Sequence, residues 1–183
     1  MKEIALNILD ITRNSVRAGA KKIRIEIRES DKSNSLVIKI IDNGCGIDEK
    51  MLLTVDDPFT TSRTTRKVGM GIALMKYHAE LTGGKLDIES ERGKGTSLRA
   101  EFVKDHIDRQ PVGDICGIIK LLLISEKNID FEYLHSTDEG QYEFSTKEAR
   151  EVLEIDDLSH PGLAGDISNM LKENLLELNA EIT

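Results

Sequence analysis

The strongest constraint on this chain lies between Arg66 and Phe102, where Gly69 and Gly71 flank a single residue and lead straight into a helical pattern. Ile72, Leu74, Met75, Ala79 and Leu81 give that pattern an apolar side. Closely spaced glycines let backbone N–H groups approach a bound anion, and a helix start adds unpaired donors and a positive dipole end. Thr82-Gly83-Gly84 predicts a left-handed helix cap, and two strands joined at residues 91–95 follow. A glycine pair before a helix also occurs in many folds that bind no nucleotide, so its meaning depends on the rest of the chain.

Residues 2–18 read as one helix. Ile4, Ala5, Ile8, Leu9, Ile11, Thr12, Ser15 and Val16 form its apolar or small face. Glu3, Asn7, Asp10, Asn14 and Arg17 fall on the other side, within about 80° of one another at 100° per residue. A solvated polar face explains this stripe. So does a ligand-facing one, in which an Asn oxygen coordinates Mg²⁺, a carboxylate orients a hydroxyl and Arg meets phosphate. Gly19 reads as the helix cap.

The alternation of Ile23, Ile25 and Ile27 predicts a half-buried strand over Lys22–Arg28. A second, more uniformly apolar strand over Leu36–Ile41 is expected to be central, and it ends in Asp42-Asn43-Gly44-Cys45-Gly46-Ile47. A carboxylate at a strand end followed by two glycines can accept from an exocyclic amine while backbone packs on a flat ring. An ordinary Asx-type turn fits the same residues. Cys45 reads as a small packing residue. Asp48 caps a short helix expected over 49–55. Residues 57–67 are polar and aperiodic, hence a loop. Its cations Arg63, Arg66 and Lys67 suit a mobile lid over phosphates or a solvated cluster.

Composition excludes several classes. With 183 residues the chain can bury a core and hold one large or two small domains, and 39% hydrophobic with 32% charged residues is a globular balance. No apolar run approaches the ~20 residues that cross a bilayer. Charges at Glu3, Asp10, Arg13 and Arg17 break any leader-like core, so a cytoplasmic location and no membrane partner are expected. Two cysteines are too few for a disulfide framework or a zinc site. Residues 1–104 carry 19 basic and 15 acidic side chains, and residues 105–183 carry 6 and 18. The basic part suits a polyphosphate, while the acidic part argues against nucleic acid as the main partner.

Taken in order, these pieces resemble the GHKL superfamily of histidine kinases, anti-sigma-factor kinases, gyrase-type topoisomerases, heat-shock chaperones and mismatch-repair ATPases. Asp10–Asn14 is similar to the N box and residues 42–46 to the G1 box. Residues 58–61 are similar to the F box, and Gly69-Met70-Gly71 with Gly95-Thr96 to the G2 box. The resemblance covers residues 1–104. It implies an α+β, Bergerat-type two-layer sandwich, a mixed sheet with helices on one face, holding ATP between sheet, helix and lid. By position, Asn14 would hold Mg²⁺, and Asp42 would bind the adenine amine with support from Thr96 through water. Gly44 and Gly46 would line the base, and Ile47, Thr61 and Met70 would also contact the ATP. Gly69 and Gly71 would meet the phosphates, with Arg63 and Lys67 of the lid and Arg17. Asp10 would be the general base, where the superfamily's ATPases usually place the longer Glu.

The N-box half echoes mismatch-repair ATPases, whereas the short lid and the run from Gly83 to Ser97 are similar to histidine and anti-sigma kinases. The chain starts almost at the N-box helix, so a strap-exchanging clamp is not expected. His78, His106, His135 and His160 are scattered, and self-phosphorylation on His has no support. The expected activity is that of an Mg·ATP-dependent kinase or ATPase acting in trans on a partner protein. The alternatives are an ATP/ADP-sensing module and, less favoured, a mismatch-repair-like ATPase.

Residues 105–183 read as a separate, small acidic α+β domain. A polar linker over 105–113 leads to an apolar helix over 112–124. A hairpin follows around Asp138-Glu139-Gly140, then a capping box at Ser145–Glu148 and a final amphipathic helix over 166–179. At this size the region is expected to lean on the first or to dimerise, and to serve regulation or partner binding.

Overall fold

The computed structural model describes residues 3–48 and 70–182. The helix expected over 49–55, residues 58–61 of the F-box match, Thr61, Arg63, Arg66, Lys67 and Gly69 lie outside them. Five helices and six strands occur among the described residues. They are α1 (Ile4–Arg17), β1 (Lys22–Ser30), β2 (Ser35–Asp42), α2 (Met70–Leu81), β3 (Lys85–Glu91) and β4 (Gly95–Val103), then α3 (Ile115–Ser125), β5 (Asp130–Ser136), β6 (Gln141–Ser145), α4 (Thr146–Leu153) and α5 (Pro161–Glu177).

The strands form one sheet in the order β3-β4-β2-β1-β5-β6. All neighbours are antiparallel except β1 and β5, which run parallel. The sheet is therefore mixed, in an α+β sandwich. Alternation gives each central strand one buried face. Ile23, Ile25 and Ile27 of β1, Leu36, Ile38 and Ile40 of β2, and Leu98, Ala100 and Phe102 of β4 all join the core. The opposite positions carry charge and pair across the sheet, as where Arg24 meets Glu26, Glu132 and Glu143. Ile4, Ile8 and Ile11 of α1 and Met75 and Ala79 of α2 enter the same core.

The division expected near residue 104 falls between β4 and α3, and β5 and β6 continue the same sheet. The linker is tied to the start of α1, where the Ile4 and Ala5 amides donate to the carbonyls of Pro111 and Val112 at 3.0 and 2.8 Å. These are orphan donors of a first helical turn, and α1 has no side-chain cap of its own. Arg109 forms a two-pronged ion pair with Glu181, which also accepts the Val112 amide. The final helix begins at Pro161, earlier than its apolar period suggests, because proline is well placed in a first turn.

A buried polar cluster joins β1, β5 and the chain end. The Tyr133 hydroxyl lies 2.6 Å from His135 Nδ1, and His135 Nε2 lies 2.7 Å from Glu29 Oε1. A carboxylate can only accept, so Nε2 carries the proton of that bond. Glu29 also accepts the Glu181 amide at 2.9 Å and faces Lys104 at 3.3 Å. Burial works to raise the Glu29 carboxyl, but His135, the Glu181 amide and Lys104 outweigh it and hold it below its usual range.

A depressed folded-state pKa stabilises the fold above the unfolded-state value and stops doing so as pH falls through the folded-state one. Acidification below about pH 4.5 should therefore erode stability, and Glu29→Gln should remove that part of the pH dependence in chemical-denaturation curves. A second prediction concerns Asn7, which is fully buried with neither amide atom partnered among the described residues. The near-isosteric Asn7→Leu should raise stability by about 1–3 kcal/mol, read as an increase in Tm.

Candidate functional site

The sequence-expected residues gather where β2 ends beside α1. Asp42 is the last residue of β2, and its side chain is nearly buried. Ser15 of α1 donates its hydroxyl to Asp42 Oδ2 at 2.6 Å, and the Gly44 amide donates to Oδ1 at 2.8 Å. Each oxygen has one donor, which leaves about two of a carboxylate's four acceptor positions for a ligand N–H. Ser15 was assigned on sequence to the small, apolar face of α1. The signal that could have marked it is a hydroxyl on that face, immediately after Asn14.

Hydrogen bonds to α1 and β1 hold the turn that follows β2. Asn43 Oδ1 accepts the Lys21 and Lys22 amides at 2.8 and 2.9 Å, and the Cys45 amide donates to the Ala18 carbonyl at 2.9 Å. The end of α1 and the start of β1 thus fix the turn. Opposite it, the β3–β4 turn closes in. The Gly93 amide donates to the Cys45 carbonyl at 2.8 Å, and the Ile47 amide donates to Ser90 Oγ at 2.8 Å. Gly95 has φ +116, and a Cβ there would collide with the Asp42 carbonyl oxygen. Only glycine lets β4 run this close to the end of β2. Gly46, at φ +69, packs against the Glu91 carbonyl in the same way.

Thr96 stands opposite Asp42 in the β2–β4 register. Its hydroxyl pairs with Ser90 at 2.9 Å, so Ser90 connects Thr96, the Gly95 carbonyl and the Ile47 amide. Ser90 and Asn43 were not among the sequence-expected site residues.

Along α1 the polar stripe is graded in burial. Asn7 is fully enclosed, Asp10 and Asn14 are partly so, and Arg17 lies at the rim. Arg17 Nη1 donates to Asn14 Oδ1 at 3.2 Å, while Asn14 Nδ2 is enclosed with no hydrogen-bond partner among the described residues. Asp10 Oδ2 accepts the Gly71 amide at 2.9 Å, across the gap between α1 and the start of α2. Met70, the first residue of α2, is two-thirds exposed. His78 sits later on α2. Burial, then the positive chain terminus, lower its pKa.

The site therefore combines a braced carboxylate, a close-packed glycine turn and a helix start, set around oxygen donors on α1. Asn14 and Asp10 offer hard oxygen ligands of the kind a magnesium ion takes. Among the described residues no cluster of His, Cys, Asp and Glu could hold a metal by itself. No helix among them is long and apolar enough to cross a membrane.

Known proteins share parts of this sequence and its fold. A 114-residue segment is 26% identical to the autoinducer 2 sensor kinase/phosphatase LuxQ of Vibrio cholerae, covering 60% of this chain and 13% of that protein. A 98-residue segment is 34% identical to sporulation kinase D of Bacillus subtilis, covering 54% of this chain and 19% of that one. The chain thus spans only a small part of these relatives' length. Among solved structures, the N-terminal domain of a DNA repair protein shares the fold, with TM-score 0.54 and 18% identity over 80% of this chain and 53% of that one. The family model described as histidine kinase-, DNA gyrase B- and HSP90-like ATPase matches residues 2–106, more than half of the chain, and the protein belongs to that family.

Proposed function

We propose that the chain binds Mg·ATP at this site and serves a signalling process, transferring phosphate to, or regulating, a partner protein in trans. The observation that carries the reading is Asp42, fixed by Ser15 and the Gly44 amide with acceptor positions left over. Such a carboxylate selects a ligand that presents an N–H, as adenine does through its exocyclic amine. Asn14 Nδ2, enclosed and without a hydrogen-bond partner among the described residues, supports a polar ligand beside α1.

In this reading Asp42 takes the adenine amine, and Gly44, Gly46 and Ile47 line the base. Asn14 is the magnesium ligand through Oδ1, and Arg17 balances phosphate charge. Met70 and Gly71 lie toward the phosphates. Thr61, Arg63, Lys67 and Gly69 are proposed to reach the same phosphates, and Thr96 to brace the adenine pole with Ser90. The ion's contribution would be to neutralise phosphate charge and orient the transferring group. Asp10 is the candidate to accept a proton from the attacking hydroxyl or imidazole. A second reading, an ATP/ADP sensor with slow turnover, is favoured by the engagement of Asp10 with Gly71, which occupies one oxygen of the candidate base.

Calorimetric titration of ATP and ADP, with and without Mg²⁺, tests the reading. Wild type should bind both nucleotides, more tightly with the metal, and Asn14→Ala should lose the metal's contribution. Absence of binding to wild type would contradict it. Turnover separates the two variants of the reading. Asp10→Glu, with one more methylene of reach, should raise ATP consumption in the kinase, whereas unchanged turnover would favour the sensor.

A further inference from the structure

Asp10 is placed in a way that a free general base would not be. Its Oδ2 takes the Gly71 amide at 2.9 Å, and a Cβ on residue 71 would stand 2.5 Å from that same oxygen. The carboxylate therefore lies directly against the second residue of α2. That helix is 12 residues long and has no acidic side chain in its own first turn, so the negative charge at its start comes from α1. The neighbours of Asp10 on the stripe point to a polar site left incomplete. Among the described residues, Asn7, one turn before it, is fully buried with both amide atoms unpartnered, and Asn14, one turn after it, has an enclosed and unpartnered Nδ2.

We propose that Asp10 is an internal anion that holds the start of α2 until a nucleotide phosphate displaces it. The inference rests on the nucleotide reading above and adds a regulation to that site. The Gly71 amide has one proton, and it is already aimed at Asp10. A phosphate arriving there meets an engaged donor and a fixed negative charge, so the carboxylate must turn aside for it to dock. Turning aside frees both oxygens of Asp10 for an acceptor's proton. The candidate base is thereby released by the phosphates that will react, and adenosine, which has none, leaves it held.

Calorimetric titration of adenosine and ADP into the full chain, Asp10→Asn and Asp10→Ala tests this. The Asn variant keeps a neutral acceptor for the Gly71 amide, and the Ala variant has none. ADP should bind about threefold tighter to the first and about tenfold tighter to the second, with adenosine unchanged in all three. Equal gains in the two variants would reduce the effect to charge repulsion and overturn the proposal. Equal or weaker ADP binding with adenosine retained would overturn it too, while leaving the nucleotide reading in place. If neither ligand bound any of the three, both would fall. In the unmodified protein, the Gly71 amide resonance should move on saturation with ADP and stay put with adenosine. A resonance unmoved by bound ADP would overturn the proposal without any substitution.

Discussion

A carboxylate at the end of a central strand is useful only if it is held still and kept partly open, and the geometry around Asp42 does both. Ser15 approaches from α1 and Gly44 from the following turn, one on each oxygen. For Ser15 to arrive there, α1 must lie on the sheet with Ile8 and Ile11 in the core, and its end must meet the turn after β2 through the Ala18 carbonyl. β4 must also pass close to the end of β2, which the lack of a side chain at Gly95 permits. Substituting either neighbour would disturb a site that no single element builds.

The chain end is bound into the same scaffold from the far side. β5 extends the sheet through β1, the strand that follows α1, and the 105–113 segment supplies the carbonyls that α1 needs at its start. Glu29, His135 and the Glu181 amide then fasten the chain end to β1. This gives the acidic region a physical route to the site, because displacing it would leave the first turn of α1 with unpaired donors.

Much of this was legible in the sequence, and the part that was not has a common cause. Period-two isoleucines gave β1, uniform apolarity gave β2 its central place, and Ser145 three residues before Glu148 gave the start of α4. Asp42, Gly46 and Gly95 stand out because a carboxylate at a strand end and glycines in tight turns have local signatures. Ser15 did not, since a small hydroxyl on an apolar face reads as packing until its partner 27 residues away is known. The same holds for Asp10 and Gly71, 61 residues apart, and for His135, whose burial against Glu29 depends on a parallel pairing that no local pattern encodes. Periodicity reports which face is buried. It does not report what faces it.

Asp42 is proposed to read the base of a purine nucleotide, and competition between ATP and GTP for the site in the presence of Mg²⁺ tests this. Adenine presents an amine to a carboxylate where guanine presents a carbonyl oxygen, which cannot donate. ATP should bind at least about tenfold more tightly than GTP, and Asp42→Asn should narrow the gap because the amide can donate as well as accept. Equal affinities in the wild-type protein would contradict the assignment of Asp42, and with it the function proposed for the chain.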